Sequence, residues 1–451
     1  MPKRLLILTT KLGYQTRAFV DAAQKLGLEI AFGTDRCGQL DDPWGDHAVP
    51  LKFENPDEAA RRVLQARDLG TIDAIVSLGD RPTPTAARIA HALRLPHHSA
   101  AATDVCRDKY RSRALLRNAG LQVPRFVRVP LDIAPSDLLA KIADATGFPC
   151  VLKPLALSGS RGVIRANDER EARAAFDRIR SLLRSSDVRV LREESSDFLQ
   201  IESYIDGVEI AVEALMDRGR LRVLAIFDKP DPLDGPFFEE TIYVTPSRLA
   251  DVQQRTVVDP LERSTVALGL SHGPIHAELR VNDQGAWPLE IAARSIGGLC
   301  SRALRFTMKE PDTSSSVITK APVAHICPSA GQMWEDANLH SLEEIILRLA
   351  LGESMDAVAR ERFASGVMMI PIPEPGIYRG VEGVDDALAI PYVDEIRITA
   401  KPEQKLVPLP EGASYLGFLF ARAERPDQVE AALRAAHGKL RFEIGAALPV
   451  V

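Results

Sequence analysis

Cysteine is scarce, with five in 451 residues, at positions 37, 106, 150, 300 and 327, and no two form a C-x-x-C pair. An odd and scattered set offers neither a zinc site nor a disulfide framework, and reduced thiols in the cytoplasm fit it best. The chain also lacks an excess of positive charge. Its formal net charge of -6 gives no global attraction to a phosphate backbone or an anionic membrane, so nucleic acid is not an expected partner. No run is apolar enough to cross a bilayer. The first residues, Met1-Pro-Lys-Arg4, are basic, but the apolar stretch that follows breaks at Thr9-Thr-Lys11, short of a signal-peptide core. Two phosphate-binding signatures are missing as well. No G-x-G-x-x-G follows the first predicted strand, where Thr9-Thr-Lys-Leu-Gly13 stands, and no G-K-[ST] opens directly into a helix. There is no internal repeat and no low-complexity run.

The residues that are there begin with an α/β alternation. Apolar runs predict strands over 5–8, 29–32 and 72–78, and helical periodicity falls over 19–26, 56–68 and 85–93. This pattern implies an open, mostly parallel sheet of Rossmann-like topology that does not bind NAD. One helix is expected over 104–119, ended by Gly120. From about 133 to 293 helices mix with hairpins, an α+β pattern. The stretch 310–340 is rich in turn formers and reads as a long loop or insertion. A helix over 342–351 then leads to a C-terminal module with strands over 367–372, 395–399, 415–421 and 440–444 and a helix over 426–437.

Chemistry concentrates first in residues 275–291, which read as a β-hairpin. With Asp283-Gln284-Gly285 as a three-residue loop, Val281 pairs with Trp287, Leu279 with Leu289, and Glu278 with Glu290. Strand alternation then gives a core face of Ala277, Leu279, Val281, Trp287, Leu289 and Ile291. The other face carries His276, Glu278, Arg280 and Glu290, with Ala292 and Arg294 continuing it. Opposed carboxylates repel unless a cation lies between them. That cation is either Mg²⁺, which prefers hard oxygen ligands, or Arg280 and Arg294 in a surface ion-pair cluster.

Upstream, Phe148-Pro-Cys-Val-Leu-Lys153 runs into Ser158-Gly-Ser-Arg-Gly162 and a second short strand, a hairpin flap. Its small residues let backbone N–H groups close on phosphate oxygens, and Lys153 and Arg161 add positive charge. A flexible hairpin tip with solvated basic residues is the competing reading. Phe198 to Glu213 reads as two strands joined through Asp206-Gly207, placing Glu202 near Glu209. Lys109 stands on the helix that crosses 104–119, and Lys229, in Phe227-Asp-Lys-Pro-Asp231, reads as a solvated loop lysine.

Taken in order, these segments resemble the ATP-grasp superfamily: a helix lysine, a strand lysine before a Gly-rich flap, an acidic hinge segment, then two acidic ligands on neighbouring strands. Leu289-Glu-Ile-Ala-Ala-Arg294-Ser-Ile-Gly-Gly-Leu299, Gly366-Val-Met-Met-Ile-Pro-Ile-Pro373 and Gly412-Ala-Ser-Tyr-Leu-Gly-Phe418 resemble its L-amino acid ligase branch. The resemblance implies an ATP-grasp fold: a Rossmann-like N-terminal domain (1–103), an ATP-grasp domain (104–308, with a flap subdomain over about 133–200), an insertion (309–340) and a small C-terminal α+β domain (341–451). It implies that Lys109 and Lys153 contact ATP phosphates under the 158–162 loop. Glu202, Tyr204 and Ile205 would receive adenine and Glu209 the ribose, while Glu278 and Glu290 would bind Mg²⁺. Arg294 would face the transferred phosphoryl group, and His276 would contact substrate unless it is a structural histidine. One departure stands out. The family pattern is Glu-x-Asn-x-Arg, and Ala292 takes the asparagine position. The implied activity is ATP-dependent ligation of a carboxylate to an amine through an acyl phosphate, with small-molecule partners, no membrane or nucleic acid, and a homodimer left open. A biotin carboxylase-like subunit and a non-catalytic ATP-binding protein are the alternatives.

Overall fold

The computed structural model describes residues 2–10, 14–35, 48–66, 69–308 and 339–446. The expected insertion therefore lies almost wholly outside the described residues, as do Cys37 and Cys327. The N-terminal layer is a parallel sheet in the order Val49–Pro50, Glu29–Thr34, Arg4–Thr9, Ala74–Leu78. Leu5, Leu6, Ile7 and Leu8 are completely buried, because helices cover both faces of a parallel sheet and leave no solvent side to alternate with. The Rossmann-like reading holds. Helix Pro56–Gln65 starts where Asn55 accepts the Glu58 N–H at 3.2 Å and Pro56 takes the first turn, the residue types that fit those positions.

The single helix expected over 104–119 is two, Ala100–Cys106 and Lys109–Asn118. Asp108 divides them: its carboxylate accepts the N–H groups of Tyr110 and Arg111 at 2.9 and 3.0 Å. A capped N-terminus is a local gain that helical periodicity alone does not register. Its consequence is positional, since Lys109 becomes the first residue of a helix and its N–H donates to Leu155 O at 3.1 Å.

The flap subdomain is a four-stranded antiparallel sheet in the order Phe126–Pro130, Phe198–Ser203, Cys150–Pro154, Ile164–Ala166. Helix Glu169–Arg184 packs Ala172, Phe176, Ile179 and Leu183 into its core. The larger sheet has eight antiparallel strands in the order Gly285–Ala292, Gly273–Asn282, Val208–Asp217, Arg220–Asp228, Ile242–Thr245, Ala364–Ile370, Gly417–Ala423, Val393–Ile398. One correction follows. Phe198–Ser203 and Val208–Asp217 belong to different sheets, so the expected hairpin is a crossing between two layers. Ala364–Ile370, Gly417–Ala423 and Val393–Ile398 extend the central sheet, so part of the C-terminal region shares a sheet with the middle of the chain, while Gly376–Glu382, Lys405–Leu406 and Arg441–Gly445 form a three-stranded sheet of their own.

The acidic hairpin stands at one edge of that sheet. Ile275, Ala277, Leu279 and Val281 face Val257, Leu261 and Leu268 of helix Asp251–Leu268. Each large aliphatic side chain fully buried there is worth roughly 1.5–3 kcal/mol relative to exposure, so the strand cannot slip by one residue without placing His276, Glu278 and Arg280 in the core. The register near the turn differs from expectation. Asn282 pairs with Gly285, Arg280 with Trp287 and Leu279 with Pro288; Leu289 is then an extra residue, and Glu278 still faces Glu290. The turn is one residue shorter than expected and the bulge at Leu289 restores the count. Near the turn, Ala286 takes the core place assigned to Trp287, and Leu289 borders the cleft described next.

Candidate active site

A cleft opens between the flap sheet and the central sheet. Lys109, Lys153, Ser158, Gly159 and Ser160 form one wall, Glu202, Tyr204 and Ile205 the crossing between sheets, and Glu209, His276, Glu278, Glu290 and Arg294 the floor. Two expected members turn away from it. The Arg161 guanidinium donates to Glu411 O at 2.6 Å and meets Asp187 at 2.6 Å, and the Gly162 N–H donates to Pro410 O at 2.8 Å. The flap tip is thus fastened to the 408–412 loop, and Arg161 spends its charge there.

Both lysines have partners. Lys153 Nζ lies 2.5 Å from Glu202, whose other oxygen accepts from Arg113 Nε at 2.7 Å. Burial favours the neutral acid, but Arg113 and Lys153 hold Glu202 at about 2. Burial lowers Lys153 in spite of Glu202. Lys109 Nζ donates to Leu157 O at 2.9 Å and lies 3.1 Å from Glu290, joining the helix start, the flap and the hairpin. Tyr204 at the crossing donates its hydroxyl to Asp234 at 3.0 Å and accepts from Arg280 at 2.8 Å.

The ion-pair reading of the hairpin assigned Arg280 and Arg294 to the two glutamates, and neither goes there. Arg280 meets Glu209 at 3.2 Å and Arg294 meets Asp80. The cation beside Glu278 is Lys229, at 3.6 Å, which also lies 2.8 Å from Glu209 and contacts Glu240. Lys229 was expected in solvent; its side chain is 2% exposed. It sits at the end of the Arg220–Asp228 strand, where the sheet floor carries it inward past the Tyr243 ring, 5.1 Å away. Burial alone would neutralise this amine, yet the three carboxylates keep it charged, well above its ordinary value. Burial also pushes Glu240 up to about 7 against the pull of Lys229. Glu278 is held well below the usual carboxylate range: its burial is outweighed by Lys229 and His276.

His276 stands across the strand pair from Ala292, with Nδ1 3.1 Å from the completely buried Glu213 and Nε2 3.7 Å from Glu278. Burial opposes a charged ring, but the two glutamates lift it to about 9. Glu213 also accepts the Ile296 N–H on both oxygens, which fixes the loop after Arg294. Arg294 itself is gripped by Asp80 through two parallel bonds of 2.9 and 3.1 Å, the strong fork geometry of guanidinium with carboxylate. Asp80 follows the Ala74–Leu78 strand, so the N-terminal layer reaches into this site. Burial would raise Asp80, and Arg294 overrides it and holds the carboxyl below its usual value.

Sequence reasoning missed Asp80, Arg113, Glu213 and Glu240. Each lies in a different segment from the residue it serves. Glu213 was the most accessible, since it has the parity of Glu209 and Ala211 on one strand and pairs in register with His276.

The family models match three stretches: 20–97 is the ATP-grasp N-terminal domain, 146–303 the ATP-grasp domain, and 368–445 the L-amino acid ligase C-terminal domain 2. The chain belongs to the ATP-grasp superfamily, in its L-amino acid ligase-like branch. Alanine--anticapsin ligase of Bacillus amyloliquefaciens is 27% identical over 266 residues, 56% of this chain and 53% of that protein. The match thus spans about half the length of this curated relative. The L-amino acid ligase structure from Bacillus licheniformis superposes with a TM-score of 0.76 at 24% identity, covering 98% of both chains. A carboxyaminoimidazole ribonucleotide synthase from Aspergillus clavatus, solved with ATP, reaches a TM-score of 0.64 at 16% identity over 98% of this chain and 99% of that one. At these identities the likeness is one of fold. Among the described residues no helix is long and apolar enough to cross a membrane.

Proposed function

We propose that this protein is an ATP-dependent carboxylate-amine ligase that joins amino acid-type substrates through an acyl phosphate. The observation that carries the reading is the bulged hairpin register, which turns Glu278 and Glu290 toward the same cleft as Lys109, Lys153 and the Ser158–Ser160 tip. In that cleft Val151, Ile205, Phe238 and Leu289 offer apolar walls for a purine, with Tyr204 beside them. The lysines would exchange their present carboxylate partners for phosphate oxygens. The donor pair suits Mg²⁺: Glu278 and Glu290 are hard oxygen ligands opposite one another, while Glu209 and Glu240 beside Glu278 are already met by Lys229. When bound, the ion would offset phosphate charge.

The protein's own groups account for the rest. Lys153 and the flap hold the nucleotide while the substrate carboxylate attacks the γ-phosphate, releasing ADP. Arg294 stabilises charge on the acyl phosphate, where a fixed cation shielded from water is most effective. The amine then displaces phosphate. His276 is held by Glu213 and acts as a support for Glu278. The match of 368–445 to an L-amino acid ligase domain favours this reading over a carboxylase.

Incubation with ATP, Mg²⁺, pooled amino acids and hydroxylamine should yield ADP together with a hydroxamate that identifies the carboxylate donor. Glu290→Gln should reduce ADP release by at least 100-fold, on the order of 3 kcal/mol of lost transition-state stabilisation. ATP binding with no ADP release in any pool would leave a non-catalytic binding protein, and undiminished turnover by Glu290→Gln would refute the metal assignment.

A further inference from the structure

Arg113 is one of the few arginines buried in this fold, with its side chain 3% exposed. It stands one turn after Lys109 on helix Lys109–Asn118, so the two side chains leave the same face. Its three bonds divide between the two halves of the cleft. Nε donates to Glu202 at 2.7 Å, and Glu202 in turn holds Lys153. The other two nitrogens donate to Pro288 O at 2.5 Å and Leu289 O at 2.7 Å, the carbonyls at the bulge of the acidic hairpin.

The bulge decides where Glu290 points. From the turn, Asn282 pairs with Gly285 and Leu279 with Pro288. Continued without interruption, that register would set Leu289 opposite Glu278 and Glu290 opposite Ala277, on the face packed against helix Asp251–Leu268. The extra residue at Leu289 returns Glu290 to the cleft, opposite Glu278. Pro288 has no N–H to give the ladder. Arg113 takes up two carbonyls at this break, and a bulge with an engaged backbone is a built feature of a strand.

We propose that Arg113 is a positioning residue that couples the nucleotide half of the site to its metal half, setting Lys153 through Glu202 and the register of Glu290 through the bulge. The inference rests on the ligase reading above for what the two halves bind. A guanidinium is required because its planar fork reaches three acceptors in different directions, which an ammonium cannot reproduce.

The test uses the full-length protein, the non-hydrolysable ATP analogue AMP-PNP and Mn²⁺ read by electron paramagnetic resonance, with circular dichroism as the fold check. Arg113→Lys keeps a cation for Glu202 and loses the fork at the bulge. It should weaken Mn²⁺ binding in the nucleotide complex by about 10-fold while metal-free nucleotide affinity changes less than about 3-fold. Arg113→Met should weaken both. If Arg113→Met does not fold, the split in Arg113→Lys decides alone. Wild-type Mn²⁺ affinity in Arg113→Lys, or a loss of metal and nucleotide binding in equal proportion, would overturn the assignment. Wild-type protein that binds neither Mn²⁺ nor AMP-PNP would instead overturn the ligase reading.

Discussion

Replacing Lys229 by methionine tests the electrostatics of the cleft most directly. Lys229 lies 2.8 Å from Glu209 and 3.6 Å from Glu278 and contacts Glu240. At an effective dielectric of about 20 the gross attractions to Glu209 and Glu278 are about 6 and about 5 kcal/mol, much of it offset by the cost of burying the ions. Removing one partner of a buried pair costs about 3–5 kcal/mol, because the other charge is stranded. Arg280 still compensates Glu209 at 3.2 Å and His276 still approaches Glu278 at 3.7 Å, so the low end, about 3 kcal/mol, is expected at neutral pH. The loss should carry a sign in pH. In the wild type Glu278 is held below the usual carboxylate range, so its contribution persists above the unfolded value and is lost only as pH falls through the folded one. Without Lys229, Glu240, which burial already lifts to about 7, should rise further, and Glu278 should lose the main group that holds it down. The folded variant then takes up protons at higher pH than the wild type does, so its deficit relative to the wild type should shrink as pH falls from above about 7. Urea unfolding followed by the fluorescence of Trp287, which stands in the acidic hairpin, measures both effects. A loss below about 1 kcal/mol, the level of an exposed ion pair, or a loss independent of pH, would refute a buried charge cluster.

Two further outcomes follow from contacts between domains. Asp80→Asn keeps the shape of the fork and removes its charge; turnover should fall by about 10- to 100-fold, on the order of 1.4–2.7 kcal/mol, with little change in nucleotide affinity. Equal weakening of nucleotide binding would show that Asp80 acts on the cleft as a whole. Glu411→Ala removes the carboxylate that meets Arg178 on the flap helix and leaves the backbone bonds to Arg161 and Gly162. Because that pair is partly exposed, a less than about 3-fold rise in KM for ATP is expected, in line with under 1 kcal/mol, and a drop in kcat at saturating ATP would contradict a role confined to flap closure.

Much of the site was legible because its parts are local. A lysine before a Gly/Ser tip and a glutamate on each strand of a hairpin keep their meaning whatever surrounds them, since strand alternation alone assigns their faces. Glu278 still opposes Glu290 although the turn is one residue shorter than the spacing predicts, because the bulge at Leu289 makes up the difference. That bulge was not legible, because the carbonyls of Pro288 and Leu289 are engaged by Arg113, about 175 residues earlier in the chain. The crossing between Phe198–Ser203 and Val208–Asp217 failed as a hairpin for a similar reason. A turn signal at Asp206-Gly207 says that the chain bends and leaves open which sheet receives the next strand.

The chain by itself determined its class of fold, the order of its phosphate-facing and acidic segments, and the face on which Glu278 and Glu290 lie. These follow from periodicities of two and 3.6 residues and from side-chain chemistry, both carried by neighbouring residues. Tertiary structure decided which cation meets which carboxylate. Lys229 replaced the arginines beside Glu278, Asp80 took Arg294, and Arg161 left the cleft for the 408–412 loop. Ion pairing depends on distances of a few ångströms between groups far apart in the chain and on how deeply each is buried, and only packing of the layers supplies those.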